Sequence, residues 1–237
     1  MCGRITQKLT LETLVAKYRA REHPELDLTP RFNGCPGQDF VVVRREGSER
    51  QLAELRWGRI PEWAANKPGA KRLINARFET VHEKPSFRAA FRERRCVIPV
   101  TGWFEWKPVE GGRQPYWLRP EATELFSLAA IWESGGTSPG AVDTCVILTM
   151  AAAPAIADIH HRQPVILDDE ATTAWLRPGA APAGLISMTK KGCGSAFDRW
   201  PVSSLVNSPR NDSPDLLMPA MTTGPTGGAG GMQLGLL

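Results

Sequence analysis

The stretch Arg95-Cys96-Val97-Ile98-Pro99-Val100-Thr101-Gly102-Trp103-Phe104-Glu105-Trp106 decides the fold class. Arg95–Val100 is a short, β-rich run and predicts a strand. Directly after it, Glu105 stands among three aromatic rings. The segment between Trp106 and Tyr116, Lys-Pro-Val-Glu-Gly-Gly-Arg-Gln-Pro, then reads as a hairpin turn.

Outward from this stretch the same signal repeats. Phe40–Arg44, Gln51–Trp57, Arg72–Arg77, Pro115–Leu118, Leu125–Trp132, Thr144–Thr149 and Pro164–Leu167 are β-rich runs bounded by Gly, Pro or Asp. Thr10–Arg19 differs: a Thr cap precedes Leu11, Leu14, Val15 and Tyr18 at one-face helical spacing. Short helices are also expected at Glu79–Arg94, broken at Pro85, and at Asp168–Leu176, where three acidic residues favour a helix N-terminus. The class is therefore α+β and rich in strand.

A chain of 237 residues with 42% hydrophobic and 23% charged residues can bury a real core, which excludes a disordered tail or a fibre. Its one strong break in composition comes at the end. Leu216–Leu237 holds no charge and is rich in glycine, so residues 2–217 are expected to form one domain and 218–237 a flexible tail. No apolar run approaches the length of a membrane span, and no signal core opens the chain, which predicts a cytoplasmic protein. The five cysteines are odd in number and far apart, which argues against structural disulfides and structural zinc.

Four places could carry chemistry. Loss of Met1 would leave Cys2 with an α-amine of reference pKa about 7.7–8.0 and a thiol near 8.5 on one residue. That pair can close on an aldehyde as a thiazolidine, or attack an acyl group. Asn75 and Arg77 share a strand face and suit an anionic, oxygen-rich ligand. Glu105, desolvated among aromatics, should titrate high enough to move protons near neutrality. His160 stands beside Arg162 as an acid/base candidate next to an anion-binding group, while the adjacent His161 should point another way, so the two histidines are not expected to share a metal.

Charge is concentrated too. Lys71–Arg95 carries eight basic and three acidic residues, a local +5, against a chain total of +4. Phe78, Phe87 and Phe91 are interleaved with it, which fits either a solvated helix face or a basic surface with stacking or packing groups close by.

Together these segments resemble the SOS-response-associated peptidase (SRAP) family. The matching pieces, in family order, are Met1-Cys2-Gly3-Arg4, Pro30-Arg31-Phe32-Asn33, Leu55-Arg56-Trp57-Gly58 with Ile60-Pro61-Glu62-Trp63, Asn75-Ala76-Arg77-Phe78-Glu79, Arg95–Pro99, Gly102–Trp106, His160 with Arg162 and Pro164, and Pro201-Val202-Ser203 with Val206-Asn207. They span residues 2–217. The resemblance implies a single α+β domain with a curved, barrel-like β core, short flanking helices and a basic groove for single-stranded DNA. It implies a thiol autopeptidase that removes Met1, and crosslinking or lyase-type chemistry in which Cys2 forms a thiazolidine with the opened abasic sugar. Roles carried over are Cys2 as nucleophile, Asn75 near the α-amine, Glu105 and His160 in proton transfer, and Arg4, Arg77, Trp106 and Arg162 at DNA.

No cofactor, metal, membrane or obligate protein partner is implied, and a monomer associated with the nucleoid when bound to damaged DNA suffices. Three departures stand out. Gln163 replaces the family's usual Met, Cys35 stands where relatives often have a small apolar residue, and Arg59, often apolar in relatives, could add a phosphate contact. Two other readings fit parts of the sequence: an N-terminal-nucleophile amidotransferase, and a non-covalent single-stranded-DNA-binding module.

Overall fold

The computed structural model describes residues 2–23, 25–60, 68–135, 141–180, 184–185 and 196–220. Pro61-Glu62-Trp63, Cys193 and tail residues 221–237 lie outside the described residues.

Its larger sheet is built from the long apolar runs: β3 (Asp39–Glu46), β4 (Glu49–Trp57), β6 (Arg95–Val100), β9 (Phe126–Glu133) and β10 (Thr144–Ala151). These pair in the order β10-β4-β3-β6-β9, and β9 pairs again with β10, which closes a ring within the sheet. Closure explains why Cys96–Val100 reads as uninterrupted apolar sequence: all six residues of β6 are buried. Three short strands add to the ring, β5 (Asn75–Arg77), β11 (Arg162–Pro164) and β12 (Ile166–Leu167).

The second sheet has the order β13-β8-β7-β1-β2, from β1 (Ile5–Gln7), β2 (Arg31–Gly34), β7 (Gly102–Val109), β8 (Gly112–Pro120) and β13 (Phe197–Pro201). Gly102 is required where β7 begins, because a Cβ there would lie 2.4 Å from the Trp117 ring. Between the sheets lies one core, containing Cys2, Phe40, Trp57, Ile98, Trp103 and Ile147. On the other side of the ring, α1 (Leu11–Tyr18), α2 (Arg88–Glu93) and α3 (Asp169–Trp175) cover a second core around Val43, Phe91 and Trp175.

The Thr10 hydroxyl caps α1 by accepting from Thr13 N–H at 3.2 Å, and the Asp168 carboxylate caps α3 by accepting from Ala171 N–H at 2.7 Å. Both helices thus follow the sequence reading. The Glu79–Arg94 helix shrinks to α2, because Pro85 interrupts it and the residues before form turns. Arg72–Arg77 shrinks to β5.

The turn between Trp106 and Tyr116 is far tighter than its composition suggests. The ladder runs through Val109 opposite Gly112, leaving only Glu110-Gly111 as the turn, with Gly111 at φ +79. A proline in the ladder keeps its acceptor: Pro115 O takes a 3.0 Å bond from Val202 N–H.

The basic segment is also revised. Phe78 and Phe91 pack edge-on in the helix-covered core with Trp175, so they are core rings and no platform for bases. Arg95 is buried, and its guanidinium donates to the carbonyls of Trp175, Phe91, Arg92 and Arg177. One charge of the +5 cluster therefore serves the C-terminal ends of α2 and α3.

Candidate functional site

The site is assembled around the start of the chain. β1 lies between β2 and β7, with Ile5 opposite both Gly34 and Trp103. The ladder continues upstream as Phe104 N–H donates to Arg4 O at 3.0 Å, a register that carries Gly3 and Cys2 alongside Glu105 and Trp106. Gln7 fixes the strand from below: its amide donates to Val41 O and Pro99 O, at 2.9 and 2.8 Å, and accepts from Val41 N–H at 3.1 Å. The first residues are thus clamped between sheets, and Cys2 is fully buried.

From the ring sheet, β5 runs parallel to β10 and delivers Asn75, whose side-chain N–H donates to Cys2 O at 2.7 Å. Burial pushes the Cys2 thiol well above its usual pKa, the Glu105 carboxylate adds to the rise, and the chain's N-terminal ammonium opposes it. The thiol at rest is therefore protonated. Glu105 is itself buried, and desolvation raises its pKa to about 7 against the pull of the same ammonium. A carboxyl that titrates there can accept or release a proton at neutral pH.

His160 comes from the loop after β10. Its Nδ1 lies 3.0 Å from Arg162 N–H and 3.1 Å from Arg162 O, so the neutral ring can accept and the protonated ring can donate without moving. Partial burial and the N-terminal ammonium lower its pKa. Cys2, Glu105 and His160 thus all respond to the chain's first charge. His160 and His161 do not diverge as expected: their rings stack at 4.4 Å, because they lie in a loop where strand alternation does not apply.

Gln163, at the departure from the family pattern, is buried and accepts from Ala153 N–H at 2.7 Å, bracing the loop that carries His160. Among the described residues no group of three metal-ligating side chains is placed to hold a metal ion.

The four proposed DNA contacts differ in availability. Arg77 is exposed on β5. Arg4 is spent on its own chain, donating to Asn33 Oδ1 at 2.6 Å, Val206 O at 2.7 Å and Asn207 O at 3.2 Å. Trp106 Nε1 donates to Asn207 Oδ1 at 2.8 Å, and the half-buried ring packs against the cluster of Phe104, Trp117 and Val202. Arg162 holds Glu79 in a two-point ion pair at 2.7 and 2.9 Å and caps Thr149 O. Arg59 is likewise paired, with Glu133 at 3.3 Å and Ser86 O at 2.8 Å.

Two organising residues escaped the sequence reading, Asn33 and Asn207. Besides holding Arg4, Asn33 donates to the carbonyls of Val206, Ser208 and Asn211, tying β2 to the C-terminal segment. Their only signal was membership of the Pro30–Asn33 and Val206-Asn207 motifs. Residues 218–220 remain attached to the same region, with Ala220 N–H donating to Pro201 O at 2.7 Å.

With this geometry in place, the comparisons are specific. The sequence profile described as SOS response associated peptidase (SRAP) matches residues 1–209. The chain is 36% identical to abasic site processing protein YoqW of Bacillus subtilis over 92% of this chain and 99% of that one. It is 32% identical to abasic site processing protein HMCES of Gallus gallus over 92% of this chain and 78% of that one. Among solved structures, a phage-related protein of Bordetella bronchiseptica superposes with TM-score 0.70 and 29% identity, covering 86% of this chain and 95% of that one. A protein from Bacteroides thetaiotaomicron superposes with TM-score 0.75 at 23% identity, covering 93% and 100%, and so shares the fold.

Proposed function

We propose that this chain, which belongs to the SOS response associated peptidase (SRAP) family, processes abasic sites in DNA by bonding to them covalently through Cys2. The observation that carries the reading is the placement of Cys2: buried, held at its carbonyl by Asn75, and electrostatically coupled to a Glu105 that titrates at about 7.

Hydrolysis of the Met1–Cys2 bond frees the α-amine. That amine adds to the aldehyde of the ring-opened sugar, and the carbinolamine loses water to give an imine. An abasic imine readily loses its neighbouring C2′ proton and breaks the strand, so the trap must be fast. The Cys2 sulfur then adds to the imine carbon; its proton passes to a nearby base, and the imine nitrogen, gaining a proton, becomes the amine of a five-membered thiazolidine. Because the sulfur and nitrogen sit on one residue, ring closure is intramolecular and strongly favoured.

Burial supports this order of events. A thiol kept protonated does not outrun the amine, and it gives up its proton only as the S–C bond forms, with Glu105 and His160 as the acid and base that exchange it in this reading. Arg77 supplies a phosphate contact beside the site, and single-stranded DNA is the substrate form, since an exposed guanidinium and a ring such as Trp106 suit a splayed strand. The protein acts as a monomer, in the cytoplasm and on its DNA.

The direct test incubates the protein with a uracil-containing oligonucleotide pretreated with a glycosylase. A denaturation-resistant adduct that Cys2→Ala abolishes is the expected result. No adduct with the unaltered protein, or an adduct that persists in Cys2→Ala, would refute the reading.

A further inference from the structure

Seven residues back along β4 from Trp57, roughly 23 Å of extended chain, the protein carries a second concentration of positive charge. There α1, α3 and the β3–β4 hairpin enclose a cleft of about 940 Å³. Lys17, Arg19, Arg21, Arg45 and Arg50 line it, against the carboxylates of Glu49 and Asp169. Asp169 is taken up by Lys17 at 2.6 Å, and Glu49 is exposed near the hairpin tip.

The arginines are left without counter-charge. Among the described residues none of the four forms an ion pair with a carboxylate; Arg50 donates instead to Tyr18 O at 2.9 Å and Thr173 Oγ1 at 3.1 Å, and Arg45 to Ser48 O. Arg45 and Arg50 face each other directly across the β3–β4 ladder, where like charges destabilise the pairing. Burial, then Arg45 and Arg19, lower the pKa of Arg50.

Arg19 ends α1 in the left-handed conformation, φ 48 and ψ 44, a position that favours glycine or asparagine. The wall contributes an independent sign. Thr172 is 3% exposed, lines the cleft, and its hydroxyl has no partner among the described residues. A cationic cleft with an unanswered hydroxyl in its wall suits an anion.

We propose that this cleft is a phosphate-binding site, separate from the Cys2 site, that takes a phosphate group on Arg19, Arg45 and Arg50 with Thr172 as an added donor. Guanidinium forks match phosphate oxygens two at a time, which surface lysines would not. The phosphate comes either from a free polyphosphate or from the backbone of the DNA engaged at Cys2. The second source needs a strand long enough to run from the Cys2 site to the cleft, more than a few nucleotides. That arm rests on the abasic-site reading, whereas binding of a free polyphosphate does not.

The test is calorimetric titration of the full chain with inorganic pyrophosphate, compared with Arg19→Gly and with the double variant Arg19→Gly/Arg45→Ala. Arg19→Gly suits the left-handed cap and should keep the fold; it should weaken binding several-fold and the double variant about tenfold or more. No binding to the unaltered protein, or equal affinity in all three, overturns the site.

The source is then read with abasic oligonucleotides of about 5 and about 25 nucleotides, lengths on either side of the roughly 23 Å span. Weaker binding of the double variant to the long strand alone assigns the DNA backbone. Unchanged binding of both lengths, with pyrophosphate affinity lost, assigns a free polyphosphate. Equal losses on both lengths would contradict a site separate from Cys2. Failure of every crosslink would defeat the abasic-site reading while leaving the pyrophosphate result standing.

Discussion

The side-chain amide of Asn75 holds the carbonyl of Cys2 at 2.7 Å, joining a strand of the closed ring to the first residues of the other sheet. The bond fixes where the nucleophile's backbone sits, so its loss should show in rate before it shows in stability. Asn75→Ala is expected to slow adduct formation by about 10- to 100-fold, equivalent to about 1.5–3 kcal/mol. Quenched time courses, read against an unfolding curve that moves little, check this.

Glu105 links the site to pH. Its native pKa, about 7, lies above the ordinary 4.5, so between those values the folded protein holds a proton that the unfolded chain has lost. Stability contributed by this group is therefore greatest below about pH 4.5 and falls as pH rises towards 7, by about 3 kcal/mol in all. Glu105→Gln should raise the urea midpoint at pH 8 relative to the unaltered protein, with the gap closing near pH 5. The same variant should form adduct slowly and lose the pH dependence of the rate near 7.

Arg77 is exposed two residues along β5 from Asn75. Arg77→Ala should weaken binding to single-stranded DNA and make the salt dependence shallower by about 0.7 in log–log slope. Reaction of the Cys2 aminothiol with a small aldehyde should be unaffected. Fluorescence anisotropy across a salt series measures the slope; an unchanged slope would remove the phosphate contact.

Arg95 tests the fold. With four carbonyls on one buried guanidinium, Arg95→Met should leave acceptors orphaned at the ends of α2 and α3 and cost about 2–4 kcal/mol, measured as a lowered denaturant midpoint.

These same residues show what could be read from sequence and what could not. Strands such as β6 and β10 announced themselves because both faces are buried and their apolar runs are unbroken. β1 gave no such signal: Thr6 and Gln7 are polar residues that are nonetheless buried, and Gln7 is satisfied by backbone groups 34 and 92 residues away. β2 and β13 were hidden for a related reason, being short and held largely through partners distant in the chain, such as Asn33 with the 206–211 segment.

At the site, Glu105 was legible because its aromatic neighbours already imply desolvation. The availability of the arginines was not, since sequence shows a cation without showing that Glu79 has claimed Arg162 or that four carbonyls have claimed Arg95. The stacked histidines make the same point, for alternation predicts side-chain direction only inside a strand.

The central claim, a covalent trap at Cys2, is tested most directly by intact mass and peptide mapping of the product formed with an abasic oligonucleotide. The account predicts a protein lacking Met1, and an adduct equal to that protein plus the oligonucleotide less one water, mapped to Cys2 and stable without reductant. A retained Met1 in the adduct, a bond mapped to a lysine, or an adduct that survives only after borohydride reduction would contradict it.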